Sequence, residues 1–68
     1  MIIKNFKKGF YQNAEEAIID NFENVEIIYA DGENKWDNNR YKINNEVFKL
    51  VNFEHFNGQP LEINLKND

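Results

Sequence analysis

The chain has 68 residues, ten of them aromatic, carries a net charge of -4, and contains no cysteine and one histidine. A chain of that length makes one domain with a marginal core, because it buries only about 60% of the surface its unfolded form exposes. Without Cys, a disulfide framework and Cys-based zinc sites are excluded and a reducing cytoplasm is the expected setting. The lone His excludes His-rich metal clusters, and the acidic balance argues against a protein built mainly to neutralise phosphate.

Thirteen Asn beside frequent Ile, Lys and Phe is the composition expected of AT-rich coding DNA, as in a low-GC bacterium or its phages. Ten aromatic residues argue against disorder. At the start, M-I-I-K-N-F-K-K is far short of a secretory apolar region of about 7 to 15 residues. No later run approaches the ~20 apolar residues of a membrane span, so no membrane association is expected. A first strand is expected over about residues 2–7.

Asn13 followed by Ala14-Glu15-Glu16 is a helix start: Asn caps, and Glu at the third helical position can close a capping box. Ala14, Ala17, Ile18 and Phe22 then recur at helical spacing, with Ile19 at the edge of the stripe, which predicts a helix over about residues 13–23. Val25 to Ala30 is rich in β-formers and runs into Asp31-Gly32, a strong two-residue hairpin signal. That turn makes Glu33 to Asp37 a returning strand and places Trp36 opposite Ile27. A second turn at Asn38-Asn39 places Trp36 opposite Tyr41, and a third at Asn44-Asn45 places Tyr41 opposite Phe48, since Asn tolerates positive φ.

Directly opposed residues share a sheet face, so these turns predict one apolar row of Ile27, Trp36, Tyr41 and Phe48. Val25, Tyr29, Ile43 and Leu50 are expected on the same face, under a helix whose main knobs are Phe22 and Ile18. Asn57-Gly58 marks a turn before L-E-I-N-L-K, which alternates as a half-buried strand with Leu61, Ile63 and Leu65 inward and Pro60 at its first position. The expected fold class is α+β: a single helix packed on a curved, mostly antiparallel sheet of five or six strands, in strand, helix, meander order, as a single domain over 1–68.

Two charged surfaces are candidate sites. Glu16, Asp20 and Glu23 fall within about 60° of one another on a helix and form an acidic ridge that could dock on a basic protein surface. The ordinary alternative is a solvated helix face. Lys35, Arg40, Lys42 and Lys49 share the sheet face away from the core, where they could track the phosphates of single-stranded nucleic acid. Against this, the aromatics fall on the other face, and Glu26, Glu33 and Asp37 share the basic one. Arg40 would oppose Lys49 there, a cost that Asp37 or an anion must offset.

No catalytic site, cofactor or metal is expected. A calcium loop counted from Asp31 would need Gly at its sixth position and Glu at its twelfth, where this chain has Trp36 and Lys42. His55 and Glu54 are adjacent and would point apart on an extended chain. Neither a nucleophile elbow nor a phosphate-binding glycine loop occurs. The leading expectation is a small non-catalytic protein-binding module, a regulator or inhibitor presenting its acidic ridge or an edge strand. Single-stranded nucleic-acid binding is the alternative, and a homodimer could supply the core that so small a chain lacks.

Overall fold

A computed structural model describes residues 1–30 and 38–68. Among these residues, one helix lies against one face of a five-stranded antiparallel sheet. The strands are β1 (Ile2–Ile3), β2 (Val25–Ile28), β3 (Arg40–Ile43), β4 (Glu46–Phe56) and β5 (Gln59–Asn67), in the sheet order β1-β5-β4-β3-β2. The helix α1 (Ala14–Asn21) lies between β1 and β2 in the chain. This is the expected α+β build, with β1 shorter than expected and the helix ending two residues earlier.

Local chemistry fixes both helix ends. Asn13 is extended, and its Oδ1 accepts the Glu16 N–H at 2.9 Å, satisfying one orphan donor of the first turn. Glu16 reaches back as a capping-box acid would, but takes the N–H of Gln12 at 3.3 Å instead of that of Asn13. At the other end the Asn21 side chain turns on its own backbone, donating to the Ala17 carbonyl at 2.8 Å and accepting the Lys7 N–H at 2.9 Å. Such local bonds compete with helix continuation. Phe22 is already extended, and Asn24, at φ 56°, turns the chain into β2.

The helix buries Ala14, Ala17 and Ile18 against Tyr41, Ile43, Phe48, Leu50, Ile63 and Leu65 of the sheet, while Phe22 packs at the margin. Each fully buried Ile or Leu contributes about 1.5–3 kcal/mol relative to exposure, so this cluster supplies most of the driving force. Tyr11 completes the core, and its backbone N–H donates to the Gly58 carbonyl at 2.9 Å, tying the segment before the helix to the far end of the β4–β5 hairpin.

The sheet register agrees with expectation where Asn sets the turns. Asn44 and Asn45, at φ 51° and 69°, make the two-residue turn that places Tyr41 opposite Phe48. Asn57 and Gly58, at φ 49° and 82°, do the same for β4 and β5. The expected row differs at Trp36: Ile27 pairs directly with Tyr41, because β2 is the immediate neighbour of β3. The Asp31-Gly32 turn, Lys35 and Trp36 lie outside the described residues. Asn39 is buried rather than a solvated turn residue.

Two positions expected in the core are exposed. Tyr29 is 53% exposed because β2 ends at Ile28, beyond which the chain leaves the sheet. Leu61 is 44% exposed because it is the extra residue of a bulge: Glu54 pairs with Glu62 and His55 with Pro60, leaving Leu61 without a partner. A second bulge leaves out Val51, between the Leu50–Leu65 and Asn52–Asn64 pairs. Bulges increase local twist and bend the strand, and here they act on the long hairpin whose tip reaches Tyr11.

Candidate functional site

The neighbouring strands β3 and β4 differ greatly in length. β3 has four residues and β4 eleven, and their pairing stops at the Tyr41–Phe48 pair. Beyond Phe48, β4 has no strand on its β3 side among the described residues. A cleft of about 800 Å³ opens beside this free edge. One wall is Gln12, just before α1, with Glu15 of its first turn, another is Tyr29 just past β2, and Asn52, Phe53 and His55 of β4 form the third. That volume is within the range of ligand clefts, and aromatic walls with a few fixed polar groups are their usual lining.

The polar groups are held from behind. Asn39, fully buried, accepts the Ala30 N–H on Oδ1 at 2.9 Å and donates from Nδ2 to Glu15 Oε1 at 3.2 Å. It therefore fixes the Glu15 carboxylate while satisfying the backbone where β2 ends. Phe53 and His55 stack, with ring centroids 4.8 Å apart and planes 28° from parallel. Being two residues apart on one strand, they share a face. Behind Glu15, burial pushes the Tyr41 phenol up to about 12, with further contributions from the Glu15 and Tyr29 charges. Its hydroxyl has no hydrogen-bond partner among the described residues.

The acidic ridge is only partly assembled. Glu16 and Asp20 lie one turn apart on α1, whereas Glu23 follows the last helical residue, Asn21. Asp20 is also committed, accepting the Tyr11 hydroxyl proton at 2.6 Å. Glu16 and Glu23 are exposed.

Of the four basic residues, Arg40, Lys42 and Lys49 share one face, while Lys35 lies outside the described residues. In β3, Tyr41 and Ile43 face the helix, so Arg40 and Lys42 point to the outer face, as does Lys49 beside inward Leu50. β5 adds Lys66, directly opposite Lys49. Lys42 is opposite Glu26, and Arg40 Nε donates to Asp68 Oδ2 at 2.8 Å, so the offsetting acid for Arg40 is Asp68. Tyr41 and Phe48, the stacking candidates of these strands, face the helix. His55 and Glu54 stand on opposite faces, since Glu54 opposes Glu62 while His55 stacks on inward Phe53.

Among the described residues, no three His, Asp or Glu side chains gather as metal ligands. No helix among them is long and apolar enough to cross a membrane.

The cleft residues Tyr29, Asn52, Phe53 and Glu15 were not expected as a site. The signal for them was the distance between turns, since Asn44-Asn45 and Asn57-Gly58 bracket a strand far longer than the four residues of β3. Compared with known protein families, curated proteins and solved structures, the chain matches none.

Proposed function

We infer that the protein is a small non-catalytic protein-binding module, a regulator or inhibitor, that takes an extended segment of its partner along the free edge of β4. The observation that supports this is the β4 edge beyond Phe48, which has no partner strand among the described residues and has a cleft beside it. Main-chain groups on such an edge give affinity to any extended chain, and side-chain pockets along it give selectivity. Tyr29, Phe53 and His55 supply aromatic surface there, and Glu15 supplies a fixed acceptor for a basic side chain of the partner.

This edge has more support than the acidic ridge, where Asp20 is already bonded to Tyr11 and Glu23 lies beyond the helix. It also has more support than nucleic-acid binding, because Tyr41 and Phe48 are turned away from the basic face.

Selection from a displayed library of random peptides tests it, with amide shifts of the bound protein read by NMR. Enriched peptides should shift Asn52 to His55, Tyr29 and Glu15, and Tyr29→Ala should weaken them at least fivefold. Shifts centred on Glu16 and Glu23 would transfer the function to the ridge. No enrichment at all would overturn the protein-binding reading.

A further inference from the structure

The outer face of the sheet carries a charge pattern that costs energy in a single copy. Lys49 is directly opposite Lys66, and Glu54 is directly opposite Glu62. Like charges in such cross-strand positions repel. Leu50, Leu65 and Ile63 are buried under the helix, so all four charged side chains project to the face away from it. Lys49, Lys66 and Glu54 make no ion pair among the described residues, while Glu62 has the exposed Lys4 ammonium at 3.8 Å.

These pairs are placed symmetrically. On β5, Asn64 is the midpoint between Glu62 and Lys66, and its partner Asn52 is the ladder midpoint between Glu54 and Lys49, because the bulged Val51 takes no place in the register. The central row also holds apolar surface. Ile2 of β1 pairs with Asn64 and is 58% exposed, and Val51, beside Asn52, is 46% exposed. The face thus runs basic, apolar and amide, then acidic along the hairpin.

We propose that this outer sheet face is a homodimer interface, with a second copy of the chain as its occupant. A two-fold axis lying between the copies and running across the strands through the Asn52–Asn64 row superposes β4 on its symmetry mate and reverses its direction. Lys49 then faces Glu54 of the second copy and Lys66 faces Glu62 of the second copy, and the reciprocal contacts follow from the symmetry. Val51 and Ile2 meet their own equivalents at the centre. Sheets packed face to face are about 10 Å apart, a gap that a Lys and a Glu side chain span together. An apolar centre with charged flanks is the usual anatomy of a protein interface. The cleft opens toward the helix at the β4 edge, so the two surfaces are distinct except at Asn52, which borders both.

Sedimentation velocity on the intact protein, from micromolar to about 1 mM and at low salt, tests it. The protein should associate to a dimer as concentration rises, and the dimer should weaken severalfold when salt shortens the Debye length to below about 8 Å. Two double variants, K49E with K66E and E54K with E62K, keep a like-charge pair at each position, so their folding carries a similar cross-strand cost. Each alone should remain monomeric, and an equimolar mixture should form a heterodimer. Circular dichroism of each variant verifies the fold before mixing. A protein that stays monomeric throughout, double variants that self-associate as the parent does, or a mixture that fails to pair would each overturn the proposal. A dimer indifferent to both charge swaps would place the interface on another surface.

Discussion

Tyr11 and Tyr41 are both buried, but their hydroxyls differ completely in satisfaction. The Tyr11 hydroxyl donates to Asp20 and accepts from Asn21 Nδ2 and the Lys8 N–H, whereas that of Tyr41 has no partner among the described residues. A desolvated, unpartnered hydroxyl opposes folding, so Tyr41→Phe should leave stability at pH 7 unchanged or raise it by about 1 kcal/mol in urea unfolding. The phenol adds a pH dependence whose sign is fixed. Unfolded Tyr releases its proton near pH 10, while folded Tyr41 holds it to about 12. Between those values the unfolded state binds fewer protons, so stability falls as pH rises, by about 2–3 kcal/mol in full. The advantage of Tyr41→Phe over the parent should therefore widen between pH 9 and pH 11.5; a constant difference would mean that the phenol is not raised.

At Gly58 the backbone dictates the residue's identity. Its φ is 82°, and a Cβ there would stand 2.2 Å from the Phe10 ring. Gly58→Ala should cost about 1–3 kcal/mol. Adding Phe10→Ala should recover the steric share and leave the conformational one, as a double-mutant cycle would measure. The Asn57-Gly58 dipeptide announced this turn in the sequence. Nothing in the sequence announces the burial of Asn39: the Asn38-Asn39 pair reads as a turn until the fold puts Glu15 and Ala30 beside the second Asn.

At the level of elements, the legible features were those governed by short-range chemistry. Asn13 caps α1, and Asn13→Ala should cost about 1 kcal/mol, read as a lowered urea midpoint with an unchanged slope. The Asn44-Asn45 turn set the β3–β4 register for the same reason, since two consecutive residues that tolerate positive φ leave few alternatives. The bulges at Val51 and Leu61 were invisible because period-two alternation assumes that every residue takes a place in the ladder. Strict alternation points Leu61 inward, whereas the bulge leaves it exposed. The candidate cleft was missed for a related reason: it arises from a difference in length between neighbouring strands, which no local motif records.

At the scale of the whole molecule, one hydrophobic cluster beneath one short helix carries the fold among the described residues. Truncation at its centre should be severe. Ile18→Ala, at a fully buried site between helix and sheet, should cost about 2–5 kcal/mol, enough to populate the unfolded state of so small a domain at 37 °C. Thermal melting by circular dichroism measures it, and a loss below 1 kcal/mol would mean that the helix is not the cover the packing implies.

The strand order also separates early from late steps in folding. β3 with β4 and β4 with β5 close through two-residue turns, whereas β1 reaches β5 only across roughly 60 residues of chain. Local hairpins form in about 1–10 μs, and distant pairings wait until other contacts have brought their ends together. The 40–67 meander should therefore be the nucleus, and β1 the last strand to dock and the first to leave. In native-state hydrogen exchange, the backbone amides that bridge β4 and β5 should open only with global unfolding, while those of Ile2 and Ile3 exchange through a much smaller, local release of the strand. The sheet would then have a permanent, slow centre and a edge that breathes.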